Sequence, residues 1–136
     1  MRVLLMLTLL SANSLGDYVH FQVTPEQADE ISSAKYQRCL NASLDNAEAV
    51  ECMADESPRL DVLLNASYRT AIAKMPNSRS QILLRDSQRQ WLKDKDAICE
   101  QEVQAVGDTP YNMVGAQCAI DELIRRIAWL QNLGRR

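Results

Sequence analysis

The chain has 136 residues, 15 lysines and arginines against 18 aspartates and glutamates, and a formal net charge of −3. So acidic a chain, with only the pairs Arg125–Arg126 and Arg135–Arg136 as clustered base, is unsuited to gripping phosphate, so no nucleic-acid partner is expected. With four glycines, four prolines and almost no β-branched runs, it reads as one helical domain around one core.

The opening MRVLLMLTLLSANSLG has the layout of a secretory signal: Arg2, an apolar run from Val3 to Leu10, then small residues. A cut before Asp17 is expected. The apolar run is shorter than the roughly 20 residues a membrane-spanning helix needs. No cysteine follows it, so no lipidation site and no membrane anchor are expected. Residues 17–136 would then form a single exported domain with a net charge of −4, Arg2 being the one charge removed. Its expected location is periplasmic or secreted.

Four helices can be placed from apolar spacing and end signals. The first starts at TPEQ, where Thr24 caps, Pro25 takes the first helical position and Gln27 completes a capping box. It is expected to run to Cys39, with Ile31, Ala34 and Arg38 along one side and the segment before it, including His20, frayed. The second starts at Asp45, with Glu48 returning the capping bond, and meets Pro58. Either it kinks there, or it stops and Ser57 caps a new segment that ends before Pro76.

The third helix is the longest. A capping box of Ser78 and Gln81 opens it, and nothing breaks it before Gly107. Leu84, Trp91, Ile98 and Ala105 form its inward line, seven residues apart, with Arg89, Lys93, Asp96 and Glu100 off that line. The fourth runs from Gly115 to Leu133 with Cys118, Leu123, Ile127 and Leu130 inward. Short connections imply an antiparallel all-α bundle of about four helices.

Four cysteines, Cys39, Cys52, Cys99 and Cys118, read in an exported chain of this size as two disulfides. No pair has the C-x2-4-C spacing of a zinc site, so no metal is expected. Three pairings are open. In such a bundle the bridges should join neighbouring helices, Cys39 with Cys52 and Cys99 with Cys118, each contributing roughly 3 kcal/mol by restricting the unfolded chain.

Catalytic arrangements are scarce. The single histidine, His20, has no helix to hold it for a Ser-His-Asp or Cys-His site. Phosphate-cradling glycines and H-E-x-x-H are absent, and no cofactor is expected. Asp94 and Asp96 point to opposite sides of a helix. Asp96 and Glu100 share a face, but an exposed one, and an acid–base pair there ranks last. Asp61, Asn65 and Tyr68 sit at helical spacing beside the apolar stripe and suit a polar network between helices or a ligand contact. Asn65 and Asn41 also head N-x-S sequons.

The runs DVLLNASY, LLRDSQRQWLKDKDAIC and CAIDELIRR together resemble the LprI-like lysozyme inhibitor family. Its pattern is D-x-x-L-N-x-x-Y, then L-L-x-x-[AS]-Q-x-x-W-x-x-x-R-D-x-x-C, then C-L-x-x-x-T-x-x-R. The matches are Asp61, Leu64, Asn65 and Tyr68; Leu83, Leu84, Ser87, Gln88, Trp91, Asp96 and Cys99; and Cys118 and Arg126. Cys39 and Cys52 fit the upstream cysteines, so the resemblance covers about residues 35 to 130. Lys95 stands at the usual arginine, Ala119 at the leucine and Leu123 at the threonine.

The resemblance implies a small exported helical domain and, from its name-giving member, lysozyme inhibition. An acidic surface suits a basic lysozyme by raising the association rate. The expected function is therefore a non-enzymatic protein-binding domain. The alternative is an envelope ligand-binding or structural protein with a cleft at Asn65, Tyr68, Gln88 and Trp91. The motif residues are expected chiefly to lock the bundle.

Overall fold

A computed structural model describes residues 17–107 and 109–135. The expected signal segment, residues 1–16, lies outside them. Five α-helices and two 3-10 turns follow in order: a turn at Asp17–His20, α1 (Pro25–Ile31), α2 (Ala34–Ala42), α3 (Asn46–Ala73), α4 (Ser78–Val106), a turn at Pro110–Asn112, and α5 (Met113–Gly134). No strand occurs among the described residues.

The expected first helix is two helices. Thr24 caps α1 through the anticipated box with Gln27, but Ser32 ends it and Ser33 caps α2. The break is held from α3. Glu56 accepts the Ser33 backbone N–H at 2.8 Å and its hydroxyl at 2.7 Å. Arg59, paired with Glu56, donates to the Ile31 carbonyl at the end of α1. A carboxylate thus meets the positive start of α2 and a guanidinium the negative end of α1, each satisfying a group the chain break leaves open. Ile31, Ala34 and Arg38, expected along one side, do not share an environment: Ile31 is buried with Tyr36, while Ala34 and Arg38 are exposed.

Helix α3 runs unbroken through Pro58, whose exposed ring leaves the helix's apolar face untouched. Its buried positions include Met53, Leu60, Leu64 and Ala71. The start of α4 departs from expectation, for Asn77, not Ser78, caps it by accepting from Ser80 N–H at 2.9 Å. Its end is as anticipated: Gly107 takes φ 90°, in the left-handed region that glycine adopts without a Cβ clash.

Helix α5 is the hub, packing against α3, α4 and α1, while α2 packs on α3. Ile127, Ala128 and Leu130 are wholly buried in it. Gln88 meets Arg126, Trp91 meets Glu122 and Cys99 meets Cys118, so α4 and α5 are antiparallel. Asp61 and Ala119 border one groove, and Thr70 and Gly134 another further along, so α3 and α5 run parallel. The result is the expected all-α bundle, with three long helices and two short ones. The bridges join the expected neighbours: Cys39–Cys52 ties α2 to α3 with Cα atoms 5.8 Å apart, and Cys99–Cys118 ties α4 to α5 at 5.5 Å.

The inward line of α4 holds for half its length. Leu84 and Trp91 are buried, but Ile98 is 40% exposed and Ala105 lies in solvent. A seven-residue repeat drifts about 20° per step around a 3.6-residue helix. The bridge also fixes Cys99 inward, and its neighbour Ile98 is then turned about 100° away. No residue from Leu92 to Val106 is fully buried.

Candidate functional site

The inner faces of α4 and α5 carry polar residues among the apolar ones. Ser87, Gln88 and Trp91 lie within one turn of α4; Glu122, Arg125, Arg126 and Trp129 repeat at three and four on α5, so each set shares a face. Their centre is Arg126, 1% exposed. Its Nε donates to Gln88 Oε1 at 2.8 Å and its Nη2 to Ser87 Oγ at 3.0 Å. The guanidinium lies 4.3 Å from the Trp129 ring, 4.7 Å from Tyr18 and 5.7 Å from Trp91. Three aromatic faces replace part of the water such a charge loses on burial. Burial lowers its pKa to about 10, so it stays charged at neutral pH.

Beside it, Glu122 accepts from Tyr18 Oη at 3.0 Å and Trp91 Nε1 at 3.2 Å, and pairs with Arg125 at 3.4 Å. Arg125 also holds the N-terminal segment, donating to the carbonyls of Tyr18, Val19 and Phe21 at 2.6, 3.0 and 2.9 Å. Tyr18 stacks edge-on against Trp129, with centroids 5.5 Å apart. The segment expected to fray is thus a 3-10 turn docked on α5. Burial first, then the Glu122 carboxylate, pushes the Tyr18 hydroxyl well above its ordinary pKa. The chemical character is that of a closed knot: the carboxylate faces three donors, and the buried cation faces amide, hydroxyl and ring.

Of the polar and aromatic motif residues singled out from sequence, Ser87, Gln88, Trp91 and Arg126 meet in this knot. The others do not. Asp61 and Asp96 are exposed and border a groove of about 400 Å³ between α3, α4 and α5. Asn65 is exposed and Tyr68 half-buried against the core. Trp91 and Arg126 line a second groove of about 340 Å³ with Tyr18, Val19 and Ile98, to which Asn65, Tyr68 and Gln88 do not contribute. The ammonium of Lys95 lies 5.8 Å from the Trp91 ring.

Sequence reasoning missed Tyr18, Glu122, Arg125 and the Glu56–Arg59 clamp. Glu122 was legible in principle. It sits four residues before Arg126 and one before the core residue Leu123, a charge inside an apolar stripe. Tyr18 had no such signal, because its partners lie 104 and more residues away.

The family model for the lysozyme inhibitor LprI matches residues 27–130 of the chain. The chain belongs to the LprI lysozyme inhibitor family. No curated protein and no solved structure gives a significant match. The matched stretch contains both bridges, the α4–α5 part of the knot and the acidic groove, while Tyr18 lies before it. LprI membership and two disulfides suit an extracytoplasmic protein. No helix among the described residues is long and apolar enough to cross a membrane.

Proposed function

We propose that residues 17–136 form a processed, periplasmic or secreted, non-enzymatic domain that binds and inhibits a lysozyme. Membership of the LprI family over residues 27–130 carries this reading. The site geometry supports it. The motif residues Gln88, Trp91 and Arg126 bond to one another and to the body of the fold, a task of positioning rather than turnover. A net charge of −4 after loss of Arg2 favours encounter with a cationic partner.

The test is direct. Processed, oxidised protein at equimolar ratio is expected to slow lysozyme digestion of cell walls and to give a binding isotherm by calorimetry. Unchanged digestion with no heat of binding rejects the reading.

A second reading, an envelope ligand-binding protein, draws on the groove that exposed Val19 and Ile98 line beside the buried Trp91, which suits a small apolar molecule. Quenching or blue shift of tryptophan emission on addition of envelope extracts is its expected mark, and an unmoved spectrum removes it.

A further inference from the structure

In a well-packed bundle neighbouring helices interdigitate and leave few voids larger than a water molecule. Here α4 meets α3 only sparsely, and its second half stands off the body across the groove of about 400 Å³. The Cys99–Cys118 bridge spans that gap at its base. The groove has an apolar floor of Val103, Ala119 and Leu123 and a rim of three exposed carboxylates, Asp61 on α3 with Asp96 and Glu100 on α4. Among the described residues none of the three has an ion-pair partner within 4.0 Å. Lys95, the basic residue of the lining, has its ammonium near Trp91.

We propose that this groove is the docking site for a cationic segment of the partner protein. A lysine or arginine side chain enters it, lays its aliphatic stem on Val103 and Leu123, and brings its charge among Asp61, Asp96 and Glu100. Long basic side chains suit such a cleft because stem and head want different surroundings. The disulfide pins α4 to α5 at the base of the groove, with Cα atoms 5.5 Å apart, so the groove is formed before the partner arrives and little ordering cost falls on binding. The inference rests on the protein-binding reading above and gives it a surface and a chemistry.

The experiment has two arms. In the first, 15N-labelled processed protein is titrated with an arginine–glycine peptide and with its neutral citrulline counterpart, at low and high salt. Shift changes are expected at Asp61, from Asp96 to Val103 and around Ala119. They should be absent with citrulline and fade as salt screens the charges. In the second, the triple variant Asp61→Asn/Asp96→Asn/Glu100→Gln is compared with the parent for peptide and lysozyme binding. Binding at least about tenfold weaker is expected, with an unchanged melting temperature because all three side chains are exposed.

Both results together sustain the proposal. Shifts centred elsewhere, equal response to the citrulline peptide, or a triple variant that binds like the parent each overturn it. If the peptide fills the groove while lysozyme is untouched, the inhibitor reading falls and the groove stands. If lysozyme is inhibited equally by parent and triple variant, the groove falls and the inhibitor reading stands.

Discussion

The Glu56 carboxylate of α3 receives both the backbone N–H and the hydroxyl of Ser33, at 2.8 and 2.7 Å, and so fixes where one N-terminal helix ends and the next begins. Glu56 is 5% exposed, so removing its carboxylate leaves the half-buried Ser33 donors without their acceptor. Glu56→Ala is expected to cost about 1–3 kcal/mol in urea unfolding, with the loss of protection in hydrogen exchange concentrated in α1 and α2. Uniform loss across the chain would contradict the assignment.

The same residue sets an acid limit. Burial pushes the Glu56 carboxyl up, but the bonds from Arg59 and Ser33 and the Arg59 charge outweigh it and hold the pKa below 4.5. The folded state therefore binds this proton less readily than the unfolded chain. The contribution is complete above pH 4.5 and is lost as pH falls through the lower folded value. Glu56→Gln should show a shallower decline of stability below that pH than the parent, read from melting temperatures across an acid series.

Arg126 fills space as well as carrying charge. Arg126→Ala opens a void beside three aromatic rings and strands Gln88 and Ser87, so a loss of about 3–5 kcal/mol is expected. Arg126→Lys keeps the charge but loses the fork that reaches Gln88 and Ser87 together, and should fall between alanine and the parent in chemical denaturation. Equal loss for lysine and alanine would show that the fork alone matters.

The docking of Tyr18 on Glu122 and Trp129 predicts a measurable strap. Tyr18→Phe removes the hydroxyl bond to Glu122 and should cost about 1 kcal/mol. Because the folded state holds the Tyr18 proton more tightly, its contribution is present below the ordinary tyrosine value of 10.0 and declines as pH rises beyond it. The phenylalanine variant should lack that alkaline decline in a melting series.

The two bridges should act on different parts of the molecule. Cys99→Ser/Cys118→Ser and Cys39→Ser/Cys52→Ser are each expected to cost roughly 3 kcal/mol. Only the first should raise hydrogen exchange in residues 92–106 above that of residues 78–91, because Trp91, Leu84 and Gln88 anchor the first half of α4 without it.

Local chemistry is what the amino-acid order settled on its own. Thr24 with Gln27, Asp45, and Gly107 mark helix ends through bonds and dihedrals that involve residues a few positions apart, and the apolar spacing of α3 and α5 follows from one helical period. The neighbour pairing of the cysteines was likewise readable, since short connections leave sequential helices side by side. Folding in three dimensions decided the rest. The break at Ser32–Ser33 depends on a carboxylate 23 residues away, and the docking of Tyr18 on one 104 residues away. The exposure of Ile98 depends on the bridge from its neighbour Cys99 to Cys118, 19 residues further along the chain. Periodicity reports which face of a helix is apolar, but it carries no information on what stands opposite. A buried charge acquires its role only when another segment brings the group that satisfies it.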